Sequence, residues 1–257
     1  MTIPSQPGPW LEAYADNYHN DDVVHLHCHV QAQLIHAVSG VMVVSTAQGS
    51  WLVPSGHALW VPAAIPHEIR MAGEVHMRTL FLMPEAEPGL GRSCQVIEVS
   101  ALLRELIVAA TLIAGQSGPR LPAMIELIRM ELLVAPVVAM HVPVPGDVRL
   151  AKLCTHFIRN PSDDSSLDAW ADTLNMSART LSRIFQRELG MSFGEWRKRA
   201  RLALSLKLLA QGASILEVAL EHGYQSPSAF SAMFRRSLGY PPSHFRPGAS
   251  PQGMALR

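Results

Sequence analysis

Apolar and polar positions follow one period in the first third of this chain and another in the rest. From Val23 to about residue 84, apolar residues come in short runs rich in Val, Leu, Ile and Trp, broken by Gly and Pro. The runs 23–29, 32–38, 41–46, 50–53, 57–61, 67–71 and 75–83 predict strands. Short strands at close, regular spacing predict an antiparallel barrel or sandwich rather than alternating β-α units. Residues 1–20, with prolines at 4, 7 and 9, predict an irregular lead-in. Beyond residue 99 the period lengthens. Ser100 predicts the cap of a helix running through Ala114 and ended by Gly115, and Pro122 opens a second helix to about Ala135. The run Leu106 to Ala110 is apolar on every side, so the first helix must be covered on more than one face. Residues 141–146, His-Val-Pro-Val-Pro-Gly, predict a linker, after which Asp147 caps the first helix of an all-helical half.

In that half one pattern occurs twice, 49 residues apart. The first copy reads Trp170-Ala171, a turn at Asn175-Met176, Ser177, then Leu181, Phe185, Leu189 and Gly190. The second reads Val218-Ala219, a turn at Gly223-Tyr224, Ser226, then Phe230, Phe234, Leu238 and Gly239. A small residue in one helix, a tight turn, and a serine opening a second helix are the parts of a helix-turn-helix unit, whose second helix enters the DNA major groove. Ser192 to Leu209 joins the copies as one long helix. Ser192 with Glu195 and Ser214 with Glu217 predict capping boxes. Ser226-Pro227 predicts an N-cap before a first-position proline. Gly190, Gly212, Gly223 and Gly239 fall where left-handed helix ends are wanted.

The fold class is thus α+β with two domains. Residues 1–98 form an antiparallel β-barrel, 99–140 a helical segment, 141–146 a linker, 147–246 a tandem helix-turn-helix domain, and 247–257 a flexible tail. Charge follows this division. The chain is neutral overall, yet residues 1–146 hold 6 Lys/Arg against 12 Asp/Glu, a net −6, and residues 147–257 hold 15 against 9, a net +6. A basic half beside an acidic one points to a nucleic-acid module joined to a module with another task.

Two outward stripes would read the DNA. On the first recognition helix Arg179, Ser182, Arg183 and Gln186 stand at i, i+3, i+4 and i+7. Arginine can bond two acceptors of guanine, so Arg179 and Arg183 are the expected base readers and Arg187 a phosphate contact. On the second, Ser228, Ala229 and Ala232 are small, which permits close approach and methyl contact with thymine, while Arg235 and Arg236 are placed for the backbone. A rigid joining helix sets the two recognition helices in successive major-groove segments, about 34 Å apart. The Arg197-Lys-Arg-Ala-Arg201 cluster at its start is a further expected phosphate contact, and Trp196 is expected in the core.

Cys28, Cys94 and Cys154 are too few and too scattered for a disulfide framework or a zinc ribbon, which predicts a reducing compartment. Residues 1–10 lack the basic and apolar regions of a signal peptide. No apolar run approaches the roughly 18 residues that span a bilayer. A cytoplasmic protein with no membrane partner is expected.

His25, His27 and His29 alternate, so on one strand they share a face and Cys28 points away. The spacings His27-x-His29-x3-Gln33-x6-Gly40 and Gly56-x5-Pro62-x-Ala64-x2-His67 resemble the two motifs of the cupin family, which supply metal ligands to the inside of a small β-barrel. The resemblance implies His27, His29 and His67 as ligands with Gln33 as the fourth. This chain departs from the motifs at Gln33, where a glutamate is usual, at Ala64, where a glycine is usual, and at Met71, where an asparagine is usual. Without the carboxylate the site lacks an anionic ligand for a redox-active metal. Three readings stay open: a divalent transition metal, an organic effector hydrogen-bonded by the histidines, or histidines that simply hydrogen-bond one another. His36 and His76 lie outside the motifs and are expected as ordinary surface or strand residues, and His57 as a turn residue.

Residues 147–246 resemble the DNA-binding domain of AraC/XylS-family regulators, and the closing run Phe234 to Arg246 is similar to that family's most recognisable signature. The run Gly49 to Pro62, with His67 and Arg78-Thr-Leu-Phe81, is typical of its cupin-type subgroup. The resemblance implies a transcription regulator, activator or repressor, that binds promoter DNA, answers to a small-molecule effector, pairs as a homodimer through the 99–140 helices, and works with RNA polymerase. The alternative is a metal-dependent cupin enzyme, an oxygenase or isomerase, fused to a DNA-binding domain. Against it, the acidic ligand is missing and no general base other than the histidines lies in the motifs. Glu68 follows His67 but belongs to the other face of the strand. A constitutive architectural DNA-binding protein would leave the histidines unexplained. No catalytic residue is assigned.

Overall fold

Strand β1, Leu11–Tyr18, occupies eight residues of the 1–20 stretch expected to be irregular. The prolines that suggested a lead-in all precede it, and its backbone partners come from far along the chain. It pairs antiparallel with the end of β6, His67–Leu82, from Leu11 against Leu82 to Tyr18 against Val75. The computed structural model describes residues 11–83, 90–113 and 120–247, so the expected tail at 247–257 lies almost wholly outside the described residues.

Two pairs of expected strands are continuous. β3, Ala32–Thr46, spans the runs expected at 32–38 and 41–46, and β6 spans those at 67–71 and 75–83. β3 and β6 pair over nearly their whole lengths, with register shifts between Ala37 and Val41. Gly40 sits at that irregularity with φ +78°, and an added Cβ would lie 2.5 Å from the Glu74 carbonyl oxygen. Only glycine fits there without displacing the backbone. β2, Val23–His27, lies beside the first part of β6. β4, Gly49–Pro54, follows β3, and β5, His57–Val61, pairs with β3. β7, Gln95–Glu98, and β8, Val137–Val138, extend the sheet beyond β5 and were not anticipated.

Alternation along these strands divides the sheet into two faces. One carries Leu34, Ala58, Trp60, Leu80, Leu82 and Ile97 into a core with α1, Ala101–Ile113, and α2, Arg120–Val134. Ser100 caps α1 through the Leu103 amide, as its position predicts. The outer side of the helix pair is apolar and open. Leu102, Leu112, Leu127, Met130, Leu133 and Val134 are each 44% exposed or more.

The chain divides into two compact units, with the break after Met140 and residues 47–50 grouped with the second. That unit holds β9, His141–Pro143, and helices α3, Val148–Arg159, α4, Leu167–Thr173, α5, Ala178–Leu189, α6, Phe193–Ala210, α7, Ile215–Glu221, and α8, Pro227–Leu238. Part of the expected linker is therefore ordered strand, and the Trp196 indole donates to the Pro143 carbonyl at 3.0 Å. Trp196 packs edge-on with Phe157 and Phe185 in the core of this unit. Its helix ends follow local chemistry. Asp147, Ser166, Ser177, Ser214 and Ser226 each accept from a first-turn amide. Gly190, Gly212, Gly223 and Gly239 all take positive φ, and Asn175 does the same at 52° in the turn matching Gly223. One expectation is half met. Ser192 accepts from the Glu195 amide, but the Glu195 carboxylate turns to Arg199 at 3.0 Å, so the reciprocal bond forms only in the Ser214–Glu217 box.

Candidate functional site

His27 closes β2, His67 opens β6, and the two are cross-strand partners. His29 lies beyond the end of β2. The Ala64 amide donates to its carbonyl at 2.7 Å and so ties it to the turn that precedes His67. Ala64 stands at the motif's usual glycine position and takes the left-handed φ of 61° that a glycine would take there. The three rings meet, with centroids 4.8 Å apart for His27–His29, 4.4 Å for His27–His67 and 5.5 Å for His29–His67. One ligating nitrogen from each lies within 4.8 Å of the other two.

Hydrogen bonding settles what these nitrogens offer. His27 Nδ1 lies 2.6 Å from the His25 carbonyl, and His67 Nδ1 lies 2.9 Å from the Ile65 carbonyl. A carbonyl only accepts, so in the neutral rings the proton sits on Nδ1 and Nε2 keeps its lone pair. Nε2 of His29 and of His67 is buried without a partner. Burial, with the charges of His27 and His67, pushes His29 down to about 4. Burial also lowers His67, against the pull of its Ile65 bond. Both shifts favour the neutral ring, the form that binds metals. His25, expected on the same face, is exposed: the register shift between Val24 and His27 breaks the alternation. Cys28 is exposed, away from the cluster.

Gln33 is buried on the sheet face that also carries Phe81, its cross-strand partner, against which the His29 ring packs at 4.7 Å. Its amide nitrogen donates to Thr79 Oγ1 at 3.0 Å, and Thr79 donates onward to the Leu34 carbonyl. This leaves Gln33 Oε1 buried without a partner. Thr79 and Phe81 were not singled out from sequence as parts of the site. Their period-2 spacing from each other was the available signal.

His36 is a strand residue, one of the two placements expected of it, and it is fully buried on the face covered by α1 and α2. His57 is a buried residue of β5 rather than a turn residue, and alternation puts it on the other face from Ala58. His76 is exposed, as expected.

In the helical unit Arg179, Ser182, Arg183, Gln186 and Arg187 are all exposed along one side of α5, while Leu181, Ile184, Phe185 and Leu189 are buried. Arg187 pairs with Glu188 at 3.2 Å. Among the described residues Arg179 and Arg183 have no ion-pair partner. On α8, Ser228, Ala229, Ala232, Arg235 and Arg236 are exposed, opposite buried Phe230, Phe234 and Leu238. The cluster on α6 is different. Arg197 bonds the Ser165 carbonyl and Asp164, Arg199 bonds Glu195, and Arg201 bonds the carbonyls of Pro161 and Asp163. These half-buried arginines brace the helical unit, and only Lys198 of the cluster is exposed. The expected phosphate contact there is corrected accordingly.

A sensor-like sheet with a converging ligand site, beside a duplicated helix-turn-helix, defines a ligand-controlled DNA-binding regulator. The family models agree: residues 9–133 match the AraC-like ligand binding domain and residues 170–248 match a helix-turn-helix domain. This chain's relatives are transcription regulators of the AraC type. It is 29% identical over 222 residues to the HTH-type transcriptional regulator NimR of Escherichia coli strain K12, covering 86% of this chain and 81% of that one. It is 36% identical over 113 residues to the HTH-type transcriptional regulator RipA of Corynebacterium glutamicum, covering 44% of this chain but 34% of that protein. A crystal structure of wild-type ToxT from Vibrio cholerae aligns over 94% of this chain and 96% of that one, with a TM-score of 0.40 and 10% identity. No helix among the described residues is long and apolar enough to cross a membrane.

Proposed function

We propose that the chain is a cytoplasmic, homodimeric promoter-binding regulator whose sensor is a divalent transition metal held by His27, His29 and His67, with an effector completing the metal's shell. One observation carries the sensor. The unpartnered atoms at the site are Nε2 of His29 and His67 and Oε1 of Gln33. With His27 Nε2, and with His29 taking the same Nδ1–H tautomer as its two neighbours, they form a set of lone pairs with no hydrogen-bond donor among them. A cation satisfies such a set, whereas an ordinary organic ligand would need several donors of its own. Neutral imidazoles suit Zn, Ni, Cu or Fe(II). With Gln33 in place of a carboxylate, a divalent ion keeps its full charge, which favours an anionic effector. No carboxylate belongs to the cluster, and this supports sensing over catalysis.

Arg179 and Arg183 then read guanine edges, with Ser182 and Gln186 beside them. Ser228, Ala229 and Ala232 approach thymine methyls, and Arg187, Arg235 and Arg236 hold phosphates. The open apolar side of α1 and α2 pairs with a second copy, and the DNA-bound dimer contacts RNA polymerase.

The test is zinc and nickel titration of the full-length protein, with promoter binding measured in parallel. Wild type should take up one metal per chain. His27→Ala combined with His67→Ala should lose it while still binding the promoter, because the helical unit has its own core. Equal metal uptake by the double variant would mean that the histidines are structural.

A further inference from the structure

A second group of buried basic side chains lies on the face of the sheet opposite the histidine triad. His36 of β3 is fully buried, and its cross-strand neighbours are Ala58 of β5 and Arg78 of β6. Leu34 and Leu80 belong to the core beneath α1 and α2. Alternation puts His36 and Arg78 on that same face. The Val99 amide donates to the Gly56 carbonyl at 3.0 Å, which sets the start of α1 beside the turn between β4 and β5. The first turns of α1 carry Arg104 into this region, and its charge is felt at His36.

The bonding here is incomplete. His36 Nδ1 gives its proton to the His57 carbonyl at 2.9 Å, and its Nε2 is buried without a partner. Arg78 places Nη1 on the Met77 carbonyl at 2.8 Å, and its Nε is likewise buried without a partner. Among the described residues no carboxylate pairs with Arg78, and its neighbour on β1 is Ala15. Arg104 pairs only with Glu105, whose side chain is 67% exposed. Arg78 beside a buried imidazole leaves positive charge without a counter-ion among the described residues, which a folded interior tolerates poorly, and the only carboxylate paired with Arg104 is the exposed Glu105.

We propose that His36, Arg78 and Arg104 form a binding site for one small oxyanion, a carboxylate or a phosphate group, beneath the start of α1. A single oxyanion accepts from Arg78 Nε, from the Arg104 guanidinium and from His36 Nε2 once that nitrogen is protonated, so it completes both unpartnered atoms together. Without the anion, burial holds His36 down at about 4, opposed by its His57 bond and reinforced by the charges of His57, Arg104 and Arg78. The anion raises it, so binding takes up a proton and tightens as pH falls toward about 4, where the ring without its anion protonates as well. The other ionisable groups around the site are His57 on β5, Glu98 opposite it on β7, and Glu105 on α1.

The experiment titrates the full-length protein separately with sodium sulfate, phosphate and acetate. It follows the thermal midpoint and the side-chain nitrogen resonances of His36. Wild type should show a saturable rise in midpoint, with His36 Nε2 moving to its imidazolium position. Arg104→Gln, at a partly exposed position, should bind about 10-fold more weakly. Arg78→Gln should weaken binding similarly, and Arg92→Gln, an exposed residue elsewhere in the sheet unit, should bind as wild type does. A response to acetate alone identifies a carboxylate ligand, and a response to sulfate and phosphate alone identifies a phosphate. An unmoved His36 resonance, no saturable response, or an equal response in Arg104→Gln would overturn the proposal and leave a bridging water between His36 and Arg78.

Discussion

Acidifying the metal-free, anion-free protein should destabilise the sheet unit well before any carboxylate titrates. His29 is 7% exposed and His36 is 0% exposed, and burial holds each at about 4. In the unfolded chain each returns to about 6.5. Between those values the unfolded chain binds protons that the folded one refuses, so stability rises with pH across that window. The folded value lies below the unfolded one. The stability is therefore complete above about 6.5, is lost as pH falls, and stops changing below about 4. The slope is about 1 kcal/mol per pH unit for each histidine. From pH 6.5 to 5 the pair costs about 3 kcal/mol, a large share of the roughly 5–15 kcal/mol of a typical domain. Burial shifts His67 in the same direction.

Hydrogen exchange of β3 and β6 peptides in the full-length protein, at pH 7 and pH 5 and corrected for intrinsic rates, isolates this unit from the helical one. Protection should fall by two to three orders of magnitude, the equivalent of about 4 kcal/mol. His29→Gln and His36→Gln should each remove about one proton from the dependence. Unchanged protection at pH 5, or a slope that neither variant reduces, would refute the assignment of these rings as buried and neutral.

The reader and the assembly carry two further predictions. Arg183→Ala should weaken promoter binding by about 1–3 kcal/mol and relax preference at one base pair, whereas Arg236→Ala should weaken binding to all sequences and flatten its salt dependence. Competition binding against mutated promoter fragments at several salt concentrations separates the two, and uniform losses in both would sink the division into base and phosphate contacts. Met130→Lys with Leu133→Lys, at exposed positions of α2, should convert a dimer to a monomer in sedimentation without loss of helix content; a variant that still dimerises would place the interface elsewhere.

The helical half was legible because its punctuation is local. A serine that caps, a glycine or asparagine that accepts positive φ, and an apolar stripe are each read within a few residues, and here they occur twice in the same order. The sheet half was legible only in part, because its partners are remote. β1 exists because β6 offers it a hydrogen-bonded edge, and nothing within residues 11–18 announces that. β3 and β6 were divided at Gly40 and near Gly73, where glycine marks a bulge and a positive φ rather than a strand end. The burial of His36 was not legible for the same reason, since it is decided by helices more than sixty residues later in the chain. The roles of Arg197 and Arg201 were not legible because their acceptors lie in the loop before α4.

The histidine triad shows where motif spacing stops and geometry begins. The resemblance to the cupin motifs named His27, His29 and His67, while alternation assumed one uninterrupted strand bearing three histidines. In the folded chain β2 shifts register and ends at His27, and His25 turns outward. His29 returns to the cluster only because the Ala64 amide holds its carbonyl. That bond depends on a left-handed φ at a residue with a Cβ, a conformation costing about 1–2 kcal/mol that glycine would avoid. The site therefore carries strain at the residue where this chain departs from the motif. Ala64→Gly should relieve it without altering the ring nitrogens, separating the stability of the turn from the chemistry of the ligands.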